Sequence, residues 1–147
     1  MSRISRRPLL AAAALTALLL TGTSAIAATQ DYVADLTASK EVPPNDSKGT
    51  GAVTASYDTA SKKFTYTATY MGLSGPATAA HFHGPAEVGA NAPPVVPVTM
   101  SPLASPIKGE ATLTDAQAAD LAAGKWYFNV HTAANKGGEL RGQVMKK

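Results

Sequence analysis

Hydrophobic and polar residues alternate most clearly in Phe64-Thr65-Tyr66-Thr67-Ala68-Thr69-Tyr70, where every second position is apolar. That period of two predicts a half-buried β-strand with an aromatic inner face and threonines outside. Further β-type runs at Tyr32 to Leu36, Gly51 to Tyr57, Thr78 to His83, Val95 to Thr99, Gly109 to Leu113, Trp126 to His131 and Glu139 to Met145 predict seven more strands. Asp58 to Lys62 reads as a five-residue hairpin loop, and Pro43 with Pro44 stops the first strand from continuing. One segment breaks the pattern. Thr114 followed three residues later by Gln117 forms a capping box, Asp115 suits a helix N-terminus and Gly124 suits its C-terminal end, so Asp115 to Ala123 predicts a short helix. The Pro-rich stretch from Asn91 to Pro106 reads as a long surface loop around an edge strand. The fold class is therefore all-β, an antiparallel β-sandwich or barrel of about eight strands with one short helix.

The first residues follow a different logic. Arg3, Arg6 and Arg7 precede an unbroken apolar run from Leu9 to Leu20, and small residues end in Ala25-Ile26-Ala27. A basic head, a short apolar core and an A-x-A site are the parts of a secretory signal peptide. The run is too short for a membrane-spanning helix, which needs roughly 20 residues. The expected organisation is a signal peptide over residues 1–27 and a β domain over 28–147, placed in the periplasm or secreted, with no membrane span once the signal is removed. Ser5-Arg6-Arg7-Pro8-Leu9-Leu10 approximates the twin-arginine export pattern, and the apolar core also suits the general secretory route.

Removing that segment changes the charge. The chain carries a net charge of +3, and Arg3, Arg6 and Arg7 account for all of it, leaving ten basic and ten acidic residues from Ala28 onward. A neutral domain with no basic stripe excludes nucleic acid as a partner. There is no cysteine, so disulfides, thiolate metal sites and cysteine nucleophiles are all excluded.

The chemistry left is concentrated in three histidines. His81 and His83 sit in Ala79-Ala80-His81-Phe82-His83-Gly84-Pro85, and His131 sits in Tyr127-Phe128-Asn129-Val130-His131-Thr132. Residues two apart in a strand share a face, so His81 and His83 project together as a two-nitrogen half-site. His131 at the end of another strand would complete a three-imidazole set suited to copper or zinc. The scattered carboxylates, among them Asp35, Glu41, Asp58 and Glu87, form no glycosidase pair and no calcium loop. Leu73-Ser74-Gly75 is a turn and not a nucleophile elbow. Glu139 and Arg141 are expected as an exposed ion pair, and Met71, Met100 and Met145 as core fillers.

Six ordered motifs carry a resemblance to a known family. Glu41-Val42-Pro43-Pro44, Gly72-Leu73-Ser74-Gly75, Ala79 to Ala86, Leu121-Ala122-Ala123-Gly124, Tyr127 to Thr132 and Gly138-Glu139-Leu140-Arg141-Gly142-Gln143 resemble the CHRD domain over about Tyr32 to Val144. That domain occurs in chordin-like extracellular antagonists of growth factors and alone in many bacterial exported proteins. The resemblance implies an extracytoplasmic β domain. The cysteine-rich modules of the chordin-like proteins are missing, so their growth-factor role does not carry over. The strand-borne H-x-H, the later histidine and the glycine-flanked Arg141 are also similar to copper–zinc superoxide dismutases. The fourth copper histidine, the zinc-ligand cluster and the disulfide cysteines of those enzymes are absent.

The resulting expectation is an exported protein that holds one copper or zinc ion through His81, His83 and His131 for storage, buffering or transfer. Two alternatives stay open. One is a non-enzymatic extracellular interaction module with structural histidines and an unnamed protein partner; the other is a dismutase-like copper oxidoreductase. A binding role is favoured over turnover.

Overall fold

Alternation along the chain becomes a single curved sheet in the computed structural model, which describes residues 28–147. The signal peptide expected at residues 1–27 lies outside the described residues. The strands are β1 (Thr29–Thr37), β2 (Thr50–Asp58), β3 (Lys63–Met71), β4 (Ala77–His83), β5 (Pro94–Pro97), β6 (Ile107–Thr112), β7 (Trp126–Thr132) and β8 (Leu140–Lys146). They form one antiparallel sheet in the order β5-β4-β7-β8-β1-β2-β3-β6, nearly closed into a barrel. Each expected strand is present, with shifted ends. β1 starts three residues earlier than the apolar pattern suggests, because Thr29 to Thr37 pairs with β2 along its whole length. β5 stops at Pro97, and its two prolines sit on an edge where no ladder donor is needed.

Closure comes from aromatic packing. Phe64 and Tyr66 of β3 meet Phe82 of β4 edge-on at centroid distances of 5.2 and 4.8 Å, although β3 and β4 are five steps apart in the sheet. Trp126 and Phe128 of β7 complete the cluster, and all five rings are buried. Such edge-to-face pairs add to the burial of the rings themselves. Among the described residues the one α-helix, α1 (Asp115–Ala122), has the expected capping box, with Gln117 N–H donating to Thr114 Oγ1 at 3.2 Å and Thr114 N–H to Gln117 Oε1 at 2.9 Å. It buries only Leu121 against the barrel. Among the described residues, no helix is long and apolar enough to cross a membrane.

The methionines depart from expectation. Met71, Met100 and Met145 are exposed rather than core fillers. The core is already filled by rings and branched aliphatic side chains at the inward positions, so no irregular gap remains for a flexible thioether.

Candidate metal centre

The inward positions of β4, β7 and β8 carry Ala80, Phe82, Trp126, Phe128, Val130, Leu140 and Val144. Their opposite face therefore carries Ala79, His81 and His83, then Tyr127, Asn129 and His131, then Arg141 and Gln143. Register aligns them in rows. His83 pairs with Tyr127 and Tyr127 with Gln143; His81 pairs with Asn129 and Asn129 with Arg141. His131 lies opposite Ala79, diagonal to His81. This outer face is not open to water, for Tyr127, Asn129 and Arg141 are all at least 97% buried.

Two loops cover it. The β4–β5 loop is held by Arg141, which donates to Asn91 Oδ1 at 2.8 Å and to the Ala90 carbonyl. Gln143 donates to the Ala86 carbonyl at 3.0 Å, and Tyr127 Oη both accepts from Ala92 N–H and donates to Ala92 O. The β7–β8 loop is held by Glu139, whose carboxylate accepts from Ser47 Oγ, Ser74 N–H, Ser74 Oγ, Thr132 Oγ1 and Asn135 Nδ2. Glu139 and Arg141 are thus not the exposed ion pair the sequence suggested. Each is buried and engages a different loop, because the loops bring polar partners that the strand alone does not show.

The three histidines converge. One ligand nitrogen from each of His81, His83 and His131 lies within 4.8 Å of the others, a grouping able to hold a metal ion. His81 Nδ1 and His131 Nε2 are 3.2 Å apart. That is close to the roughly 3.3 Å edge of a tetrahedral site with metal–nitrogen bonds of about 2.05 Å.

Backbone carbonyls set the tautomers. His83 Nδ1 faces Ala92 O at 2.8 Å and His131 Nδ1 faces Lys136 O at 2.9 Å. A carbonyl only accepts, so in each neutral ring Nδ1 carries the proton and Nε2 presents a lone pair. His83 Nε2 is buried with no partner. His131 Nε2 faces His81 Nδ1 and, at 3.0 Å, Asn129 Oδ1. Three acceptor sites therefore converge where His81 Nδ1 has at most one hydrogen to give. A cation among them would satisfy what the protein leaves unpaired.

Electrostatics disfavour a positive charge on two of the three rings. Burial, then the proximity of His131 and His83, lowers the pKa of His81. Burial also lowers that of His83, against the raising effect of its bond to Ala92 O and of Asn129, with His131 and Arg141 adding to the fall. His83 stacks flat on Tyr127 (4.7 Å, interplanar 2°), and the Arg141 guanidinium carbon lies 3.4 Å from the centroid of the Tyr127 ring. Glu41 is a residue the sequence reading left among scattered carboxylates. It is buried beside Asn129, with Oε1 unpartnered, and burial raises its pKa to about 7 against the pull of Arg141, the Val42 amide and Asn129. The only local signal for it was the unusual Glu41-Val42-Pro43-Pro44 string. Asn129 was readable in principle, since it shares a strand face with His131 two residues on.

The comparisons with known proteins speak at the level of family. The family model of the CHRD domain matches residues 32–144. No curated protein and no solved structure matches the chain. The chain belongs to the CHRD-domain family.

Proposed function

Taking the chain as a CHRD-domain protein with this centre, we propose that it is exported and binds one copper or zinc ion through His81, His83 and His131. Its role is storage, buffering or transfer of the ion. The single observation that carries this reading is the buried, unpartnered Nε2 of His83, aimed into a cluster of imidazole nitrogens while its Nδ1 is occupied by Ala92 O. Metal-binding histidines characteristically give their second nitrogen to a carbonyl in this way. Three imidazoles without a thiolate suit copper and zinc, and a fourth position remains for water or a carboxylate. The lowered pKa values of His81 and His83 favour the neutral, ligating form. Export rests on residues 1–27, whose basic head, apolar core and Ala25-Ile26-Ala27 form a signal peptide.

Titration calorimetry of apo protein with Cu(I), Cu(II) and Zn(II) tests the site. One-to-one binding at micromolar affinity or tighter is expected for at least one ion, and His83→Ala should abolish it. Binding that survives that substitution removes the site. Protein recovered from outside the cytoplasm should have the mass of a chain starting at Ala28 and contain the same metal. A mass that retains residues 1–27 removes the export reading.

A further inference from the structure

Glu139 and Arg141 lie two residues apart in Gly138-Glu139-Leu140-Arg141-Gly142-Gln143, which runs from the end of the β7–β8 loop into the last strand. Neither touches a histidine ring by a hydrogen bond, yet each terminates on a loop that does. Arg141 grips Ala90 O and Asn91 Oδ1, and the next residue, Ala92, supplies the carbonyl that takes the proton of His83 Nδ1. Glu139 grips Asn135 through Nδ2 at 3.1 Å, and the next residue, Lys136, supplies the carbonyl for His131 Nδ1. The two arms have the same construction: a buried charge on β8 or directly before it, one loop residue held, and the following carbonyl aimed at an imidazole.

Resting on the metal reading above, we infer that Glu139 and Arg141 are paired positioning residues, each fixing the tautomer of one histidine through one loop. Both loops are otherwise short of apolar anchors. Glu87, Val88, Gly89, Ala90 and Asn91 are exposed in the first, and Ala133, Ala134, Lys136 and Gly137 in the second. A loop with so little packed surface has little free energy of its own to hold a carbonyl in one place. Charge-assisted hydrogen bonds from buried groups supply it, and they are about twice as strong as neutral ones. Both charges are well placed for this, since Glu139 is fully buried with five bonds to its carboxylate and Arg141 is 2% exposed and stacked on Tyr127. Arg141 reaches His83 by a second route as well, through the Arg141–Tyr127–His83 stack. Glu139 has no counterpart to that stack, but beside the loop it also holds Thr132, the β7 residue next to His131, through Oε2.

The test reads tautomers first and metal second. Nitrogen-15 NMR of labelled histidine distinguishes protonation at Nδ1 from Nε2 in apo protein held near pH 8, above the ordinary imidazole pKa. Wild type should show Nδ1–H for His83 and His131. Arg141→Lys keeps the charge but loses the forked geometry, and should mix the tautomers of His83 while leaving His131 alone. Glu139→Gln should do the reverse. Asn91→Ala and Asn135→Ala remove the loop partners instead of the buried charges, and decide the matter if either charge variant fails to fold. Val53→Ala, a core change in β2, which carries none of the residues of either arm, should lower the melting temperature and move neither ring. Copper or zinc affinity should weaken roughly tenfold to a hundredfold in each arm variant and stay unchanged in Val53→Ala.

Nδ1–H tautomers that persist in every arm variant overturn the inference, as does a variant that disturbs both rings alike. Should wild type bind neither copper nor zinc while the tautomer losses remain arm-specific, the metal reading fails and the clamps stand. Should wild type bind metal and the rings ignore the variants, the clamps fail and the metal reading stands.

Discussion

Glu41 and Glu139 are both carboxylates carried out of water, at 5% and 0% exposure, and they end in opposite states. Burial raises Glu41 from 4.5 to about 7. The same desolvation acts on Glu139, but hydrogen bonds from Ser74, Thr132 and Ser47 outweigh it and bring the group down to about 2. The two are near neighbours, for a Cβ on Gly138 would collide with Glu41 Oε1, and Gly138 has the left-handed φ of +133° that leaves this space open. What separates them is the supply of donors. Glu139 collects five within the β7–β8 loop and its surroundings, while Glu41 keeps one oxygen with none. Burial alone does not decide the charge of a carboxylate; the number of N–H and O–H groups aimed at it does.

The sharpest way to break that contrast is at Glu139. A fall of about 2.5 pKa units from 4.5 to about 2 corresponds to roughly 3 kcal/mol of stability carried by the charged form. Because the folded value is depressed, this contribution is complete above about pH 4.5 and is lost as pH falls toward 2. Glu139→Gln should therefore lower the unfolding free energy at neutral pH by about 3 kcal/mol or more, since its amide also faces donors it cannot accept from. Urea unfolding checks it, and a loss under about 1 kcal/mol would mean the five bonds do not carry the charge.

Glu41 should respond with the opposite sign. Its folded value lies above its unfolded one, so the penalty is absent below about pH 4.5, grows as pH rises to 7 and is complete beyond. Glu41→Gln should then stabilise the protein by up to about 3 kcal/mol above pH 7, with the gain shrinking to nothing near pH 4.5. Taking the difference between wild type and variant at each pH cancels the contributions of groups the substitution does not touch. A variant that is destabilised at pH 8 would show that charged Glu41 has a partner in solution that the fold itself does not display.

The smallest effect sharpens the comparison without breaking it. Asn135→Ala removes one neutral donor of the five on Glu139 and should cost about 1 kcal/mol, measured in the same urea series. A cost as large as that of Glu139→Gln would mean the bonds act as one cooperative unit.

The candidate centre was only partly legible before folding. His81 and His83 had to share a face once Thr78 to His83 was a strand, because side chains alternate with period two. The same alternation marked Phe64, Tyr66 and Phe82 as inward, and the Thr114 to Gln117 spacing marked the helix start. These are local facts, settled by covalent geometry over a few residues. Glu139 and Arg141 were misread as an exposed ion pair because a polar strand end looks the same whether it faces water or a ring of donors.

Strand pattern, the same-face histidine pair and the absence of thiol chemistry are thus written in the order of residues alone. The tertiary structure decided the rest: the register that sets His131 diagonal to His81, the carbonyls of Ala92 and Lys136 that assign the tautomers, and the unequal fates of Glu41 and Glu139. The physical reason is separation along the chain. His81 and His131 are 50 residues apart, and Ser47 and Glu139 are 92 apart, so whether a lone pair or a carboxylate meets a donor depends on strand pairing that no local pattern encodes.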